Sequence, residues 1–594
     1  MSRRLAQVIV LLALIVILCL FCYKASGSAQ LTTFIGLASG IIGIVLQFHE
    51  ARGGLIRLLK ALREDLATLL AQTRFWVIVT AMLLLVFIGW NILPRVWPHT
   101  PATPGCSLPR NNLAGSAYIG VTSAPDGQLI GISDGSAILD RNLPDLARKQ
   151  EAAQLYQAGN LSEAQSLWQN ATEQVTNDAE AHIYAENVTV EQSGLPAVTL
   201  VVATRFTPQY LGGARDILQG AYIAQRIFNE THTLRVRLLL ANAGSSDAAQ
   251  VTCQIIRAAG ATAPSSGAGP LVGIIGWELS RDVSESVTLV DEAHLPMLSP
   301  TASGNDLRNL PYFARIAPPD ALQGEDAALY ARQTLGAHRV ALFEDPRDKY
   351  SQSLASSFRL AFEDAEHKVT ATEEYRVGQP DNLPYLLLQA LHTQPDLIYF
   401  AGYSADVSVL LEALPPCQPP AERATVACPL VLGGDALYIY GNYAQEARPV
   451  FRSGRLYFTA FAFPDEWQGQ ALPQMQTFLQ TYAASFGPQP PGRSPYGYTR
   501  PDADSMLAYD AVSVLAEACY RLFQENQPLT GARVQRALLQ ISGGQAWQGI
   551  TGMIAFGSDG NVLNKPVLLL HLDQAGHTQV KRVWGCLLRE RCSA

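Results

Sequence analysis

The sequence predicts an α/β protein with two lobes of parallel sheet, preceded by membrane-spanning helices and a short helical hairpin. Three observations carry this. From residue 196 onward, short β-branched apolar runs alternate with helical patterns. The alternation lasts about 380 residues, more than one doubly wound sheet holds. Ahead of it, the first 95 residues contain three long uncharged apolar stretches.

Two of those stretches, LAQVIVLLALIVILCLFCY (5–23) and FWVIVTAMLLLVFIGWNIL (75–93), are long enough as helices to cross a ~30 Å hydrocarbon core. The middle one, LTTFIGLASGIIGIVLQF (31–48), is shorter and glycine-rich and is read as a third span. Arg3 and Arg4 precede the first span, and loop 49–74 carries Arg52, Arg57, Lys60, Arg63 and Arg74. The 24–30 loop carries only Lys24. Basic residues favour the cytoplasmic side, so 49–74 is placed inside and everything after about residue 95 outside a cell membrane. Cleavage after Ala29 is the alternative, and it leaves the large domain outside as well. Leu55, Leu59, Leu62, Leu66 and Leu69 recur at helical spacing, which predicts an amphipathic helix over 54–71.

PRVWPHTPATPGCSLPR (94–110) is too proline-rich to hold helix or sheet. Turn signals and GISDGSAILD then predict a small β-hairpin-like unit, so 96–147 is taken as stalk plus β-rich unit. Over 148–190 the pattern becomes two helices. Gly159, Leu161, Ala164, Trp168 and Ala171 stand where a tetratricopeptide-type hairpin places its packing residues. One such hairpin makes no solenoid, so a spacer packed on its neighbour is expected.

Strands are predicted at 198–204, 234–241, 271–276, 339–343, 396–401 and 429–433. GGARDILQGAYIAQRIFNE, SQSLASSFRLAFEDAEH and NLPYLLLQALHTQ are among the helices between them. In parallel α/β sheets, ligands bind beyond the carboxyl ends of the strands. Polar residues recur there: Ser280 after 271–276, MLSPTASG (297–304), Tyr350 after RVALFEDPRDK, Tyr403 after DLIYFAG, and Asp435 after PLVLGG. Any one is as readily a cap or a core residue; five in consecutive units point to a cleft.

Net charge is −8, with no basic aromatic run, so nucleic acid is not expected as a partner. GxxxxGK[ST] does not occur, and GAGPLVG (267–273) precedes a strand where a dinucleotide loop must follow one. GYSAD lacks the second glycine of a nucleophile elbow, HExxH is absent, and Ser280 has no neighbouring histidine. No catalytic residue, cofactor or metal is therefore expected. Cys417 and Cys428 bracket a Pro-rich loop and form one candidate disulfide, Cys586 and Cys592 a second. One thiol is left over.

Further blocks sit in a telling order: LQGAYIAQRIFNE, VGIIGWELSRDVSESVTLVDEAHLPMLSPTAS, YFARIAPPDALQGEDAALYA, DLIYFAGYSADVSVLLEAL, LGGDAL, LAYDAVSVLAEA and GITGMIAFGSDGNV. On these blocks the chain from about 196 to 580 resembles the type I periplasmic binding proteins, nearest the leucine/isoleucine/valine-binding group that serves ABC importers. The resemblance implies two α/β lobes joined by three crossovers. The first lobe would be 196–318 with 465–555, the second 320–462 with 556–580, leaving a Cys-containing tail at 581–594. It implies that Ser280, Ala302 and Ser303 hold a ligand's α-carboxylate and that Asp435 holds its α-ammonium. Tyr350 and Tyr403 would line the cleft from the other lobe, and Asp320, at a hinge-side acidic position, would join the ligand-binding set.

Two departures bear on the ligand. Trp277 and Glu278 replace small residues, which predicts a narrower, partly acidic pocket with Trp277 at the ligand. Glu278 would repel a carboxylate or attract a second cationic group. The insertion GPQPPGRSPYGYTRPDADS (487–505) is placed over the cleft. The implied function is a membrane-tethered, extracytoplasmic solute-binding protein that captures an amino acid or a relative for ABC permease subunits. A ligand-sensing receptor that signals through its membrane helices is the alternative.

Overall fold

The computed structural model describes residue 106 and residues 118–260, 269–416, 428–438, 451, 453–467, 472–487 and 501–588. The predicted spans 5–23, 31–48 and 75–93, the helix 54–71, and insertion residues 488–500 lie outside them. Among the described residues no helix is long and apolar enough to cross a membrane.

The first lobe opens with the hairpin β1 (Gly120–Ser123) and β2 (Leu129–Ser133). Helices α1 (Leu146–Gln157), α2 (Leu161–Gln174) and α3 (Ala179–Ser193) follow. Two helices were expected here and three form. Asp178 restarts the helix after the turn, its carboxylate accepting the Ala181 N–H at 3.0 Å. Ala164, Trp168 and Ala171 make one buried stripe on α2, as their spacing requires. Trp168 packs between the rings of Tyr156 and Tyr184, 5.6 and 5.5 Å away.

Next come β3 (Ala197–Thr204), α4 (Leu211–Thr231), β4 (Arg235–Asn242), α5 (Ala248–Gly260), β5 (Leu271–Ile275), α6 (Ser280–Ala293), β6 (Met297–Ser299) and β7 (Phe313–Arg315). The sheet order is β1-β2-β4-β3-β5-β6-β7, parallel from β4 to β7. AVTLVVAT in β3 is buried at every position because helices cover both faces, which is why the run is continuous rather than alternating. The β-rich unit expected as part of a separate stalk is instead an extension of this sheet. β2 pairs antiparallel with β4 through Gly131–Asn242, Ile132–Ala241 and Ser133–Leu240, satisfying an edge that would otherwise be open.

The chain then crosses to α7 (Asp320–Gln333), β8 (Arg339–Glu344), α8 (Lys349–Phe362), β9 (Lys368–Glu374), α9 (Leu383–Leu391), β10 (Leu397–Phe400), α10 (Ser404–Ala413), β11 (Leu430–Gly433) and β12 (Leu456–Ala460). It returns to the first lobe for α11 (Pro473–Phe486), α12 (Ala503–Gln524), α13 (Gly531–Leu539) and the hairpin β13 (Trp547–Gly549) and β14 (Gly552–Ile554). A third crossing adds β15 (Val567–Leu572) and β16 (Thr578–Trp584), antiparallel, to the second sheet. That sheet runs β16-β15-β12-β11-β10-β8-β9.

Both sheets start in the middle. β3 has β4 on one side and β5 on the other; β8 has β9 on one side and β10 on the other. Loops leaving such a pair diverge, opening a crevice beyond the carboxyl ends.

One disulfide joins Cys106 to Cys253 on α5, with Cα atoms 5.2 Å apart. Neither cysteine was in a predicted pair. Cys428 and Cys586 are each disulfide-bonded, and their predicted partners, Cys417 and Cys592, lie outside the described residues. Cys519 is a free thiol buried in α12.

Candidate functional site

The two crevices meet in one cleft of about 80 Å³. The first lobe lines it with Tyr210, Gly213, Glu278, Leu279, Ser280, Thr301, Ser303 and Asp504, and the second with Tyr350, Tyr403, Asp435, Ala436 and Tyr438.

On the first-lobe side the turn after β5 sets the geometry. Gly276 has φ +130°, and a Cβ there would strike the Ala203 carbonyl. Past this turn Trp277 swings away from the cleft. Its ring is fully buried and its indole N–H donates to Thr252 Oγ1 at 2.9 Å. Trp277 is thus a core residue that does not line the cleft, where the sequence had placed it, because the turn directs Glu278 there instead.

Ser280 begins α6, and its Oγ accepts the Gly304 N–H at 3.0 Å. The Ala302 N–H donates to Ser299 Oγ at 3.0 Å, so Ala302 braces the loop but does not line the cleft. Thr301 Oγ1 donates to the Glu278 carbonyl at 2.8 Å. The loop after β6 is therefore strapped to the start of α6. Between the two occupied amides, the Ser303 N–H makes no hydrogen bond among the described residues. A free amide beside a helix N-terminus is an anion site in the making.

On the second-lobe side Asp435 is held on one oxygen. Its Oδ1 accepts from Gln323 Nε2 at 2.7 Å and from the Tyr350 hydroxyl at 2.9 Å. Gln323 Oε1 in turn accepts from Thr459 Oγ1 at 2.6 Å, and Gln323 Nε2 also donates to Asp320 Oδ1 at 2.8 Å. Gly434 makes room for this arrangement, since a Cβ there would run into the Tyr350 hydroxyl. Asp320 is fully buried behind Asp435 and does not line the cleft, unlike the other expected ligand-binding residues Ser280, Ser303, Tyr350, Tyr403 and Asp435. Tyr350 and Tyr403 meet at 5.4 Å with their rings tilted by 50°, and Tyr403 meets Tyr210 of the other lobe edge-on at 6.1 Å.

Burial dominates the electrostatics, with Arg205 and Arg281 opposing it at Glu278. Burial, then the charge of Asp320, pushes the Asp435 carboxyl up to about 7. Burial, then the charge of Asp282, pushes Glu278 up to about 8. Burial and the charges of Asp502, Glu278 and Asp435 hold Asp504 well above the usual carboxylate range. Glu278 is 8% exposed and neither carboxylate oxygen makes a close hydrogen bond, while the Arg205 backbone N–H and the charges of Arg205 and Arg281 lie near enough to favour its ionised form.

Ser280, Ser303, Tyr350, Tyr403 and Asp435 thus come together as expected, while Ala302, Asp320 and Trp277 stand behind them. Tyr210, Gly213, Thr301, Tyr438, Asp504 and the bracing Gln323 were not foreseen. Tyr210 had a signal, since it follows β3 as Ser280 follows β5. Asp504 had none locally: it arrives on α12 from the end of the insertion, far along the chain.

Residues 269–577 match the family model described as periplasmic binding protein. A leucine-specific-binding protein of Salmonella typhimurium is 24% identical over 140 residues, 23% of this chain and 37% of that protein. The chain thus spans 37% of the length of the curated relatives it matches. A leucine binding protein from Thermotoga maritima superposes with a TM-score of 0.52 at 21% identity, covering 65% of this chain and 99% of that one. The substrate binding protein of a branched-chain amino acid transporter from Streptococcus pneumoniae, solved with isoleucine, gives 0.52 at 18% identity over 66% and 99%. These likenesses place the two-lobed fold.

Proposed function

The chain belongs to the periplasmic binding protein family, ligand binders rather than enzymes, and we propose that its cleft captures an α-amino acid or a close relative by lobe closure. One observation carries this reading. Asp435, fixed by Gln323 and Tyr350, lines the same small cleft as the unbonded Ser303 amide and the start of α6 at Ser280. A zwitterion needs both: an acid for its ammonium, because a buried unpaired charge is costly, and amides with a hydroxyl for its carboxylate. Two lobes each supply half of the contacts, and the crossovers absorb the motion.

The domain works outside the cytoplasm, tethered by the apolar segments of residues 5–93, and delivers its ligand to ABC permease subunits. A second reading, a receptor whose closure reports through those segments, is favoured by the Cys106–Cys253 bridge, which couples the end of the Pro-rich stalk to α5.

Thermal unfolding of the full chain with each common amino acid tests the proposal. The true ligand raises the midpoint by several degrees at concentrations well above Kd. No rise with any of them refutes the α-amino-acid assignment. Asp435→Ala should abolish the rise, and an unchanged affinity would refute its ammonium role.

A further inference from the structure

One carboxylate suffices for the ammonium of a neutral amino acid, and this cleft has three. Glu278, Asp504 and Asp435 all line it, and no lysine or arginine does among the described residues. Glu278 is the telling one. It is more than nine-tenths buried, it lines the cleft, and neither oxygen makes a close hydrogen bond, although the Arg205 backbone N–H and the charges of Arg205 and Arg281 act on it from the protein side. Asp504 stands close to it: each lobe's acid, Glu278 and Asp435, acts on the Asp504 charge. Burial of this acid outweighs what the two arginines offer it, a cost that a ligand's cation would offset. The rings of Tyr210, Tyr403 and Tyr438 also line the cleft, and Tyr210 already holds one cation, the Arg281 guanidinium 5.3 Å over its ring. Among the described residues no group of three His, Cys, Asp or Glu is set to hold a metal ion.

We propose that the ligand carries two positive groups, one at Asp435 and a second at Glu278 and Asp504, as in a diamino acid with an ammonium on its side chain. The inference rests on the α-amino-acid reading above for the ligand's carboxylate, but the second cation stands on Glu278 and Asp504 alone. It also decides between the two effects the sequence left open for Glu278: attraction of a second cation rather than exclusion of an anion.

The test is calorimetric titration of the full chain at pH 8 with L-ornithine, L-lysine, L-leucine, 1,4-diaminobutane and magnesium chloride. The expected result is that ornithine or lysine binds at least tenfold tighter than leucine. Glu278→Gln should lower that ratio about tenfold or more, the loss typical of a charge-assisted buried contact. Asp504→Asn provides the same measurement independently should the first variant fail to fold. Leucine binding as tightly as the basic amino acids overturns the inference and leaves the α-amino-acid reading standing. Diaminobutane binding without any amino acid supports the second cation site and overturns the carboxylate reading. Binding of magnesium alone, a ratio unmoved in both variants, or no binding of any probe overturns the inference.

Discussion

Glu278→Gln makes a prediction about the empty protein that is the reverse of its effect on binding. The folded protein holds the Glu278 carboxyl protonated to about 8, against an ordinary value of 4.5, through burial and the nearby Asp282. A carboxyl whose folded value is raised binds more protons folded than unfolded between those limits. Its contribution to stability is therefore fully present below pH 4.5 and is lost as pH rises through about 8. At pH 7 the unfolded chain has gained about two and a half pH units of ionisation, about 3.5 kcal/mol at ~1.4 kcal/mol per unit. Glutamine has the same shape and no charge, so the variant escapes the loss. The ligand-free variant should melt with the native protein at pH 4.5 and roughly 4–10 °C above it at pH 7, at ~1–3 °C per kcal/mol in a protein of this size. Differential scanning calorimetry of both proteins from pH 4.5 to 8.5 measures the divergence. Two melting curves that stay parallel across that range would refute the account of Glu278 as a buried acid held protonated.

Trp277→Phe removes the indole donor to Thr252 and should cost about 1 kcal/mol of stability. Because the ring lies behind the cleft, ligand affinity should stay within twofold, and a large loss would return Trp277 to the binding surface. Lys149 is wholly buried in the helical module, 2.7 Å from Asp178 and 3.0 Å from Glu180. Lys149→Met strands those carboxylates and should destabilise the lobe by about 3–5 kcal/mol, and an unchanged unfolding midpoint would show that the cluster contributes little. Burial pushes the Cys519 thiol up to about 12, so it should resist alkylation at pH 8 until the protein is denatured; rapid labelling of the native protein contradicts its placement.

The sheets were legible because their strands are continuous β-branched runs. AVTLVVAT and RVALFE fell within a residue or two of their predicted bounds. Short strands such as β6 and β7, three residues each, carry too little pattern to stand out. In the site, legibility followed chain proximity. Ser280, Tyr350, Tyr403 and Asp435 each follow the strand that positions them, so a count along the sequence finds them. Trp277 defeated that count, because one glycine turn decides which of two adjacent side chains faces the ligand. Asp504 and Gln323 are brought in by tertiary packing, α12 against α4 and α7 against β12, which no local spacing encodes. The β1–β2 hairpin was visible as a hairpin, but its partner β4 lies about 100 residues downstream.

That hairpin has a mechanical consequence. Strand β2 is hydrogen-bonded to β4, α3 packs on α4, and Cys106 is bonded to α5, so the N-terminal module is built into the first lobe at three separate points. In the proposed cycle the first lobe is then the stator and the second lobe the rotor. Whatever holds the N-terminal side stays in register with Ser280 and Ser303 while Asp435 swings. A permease or sensor reading such a protein would find one half of its docking face at a constant position, with ligand occupancy written only in where the other half comes to rest.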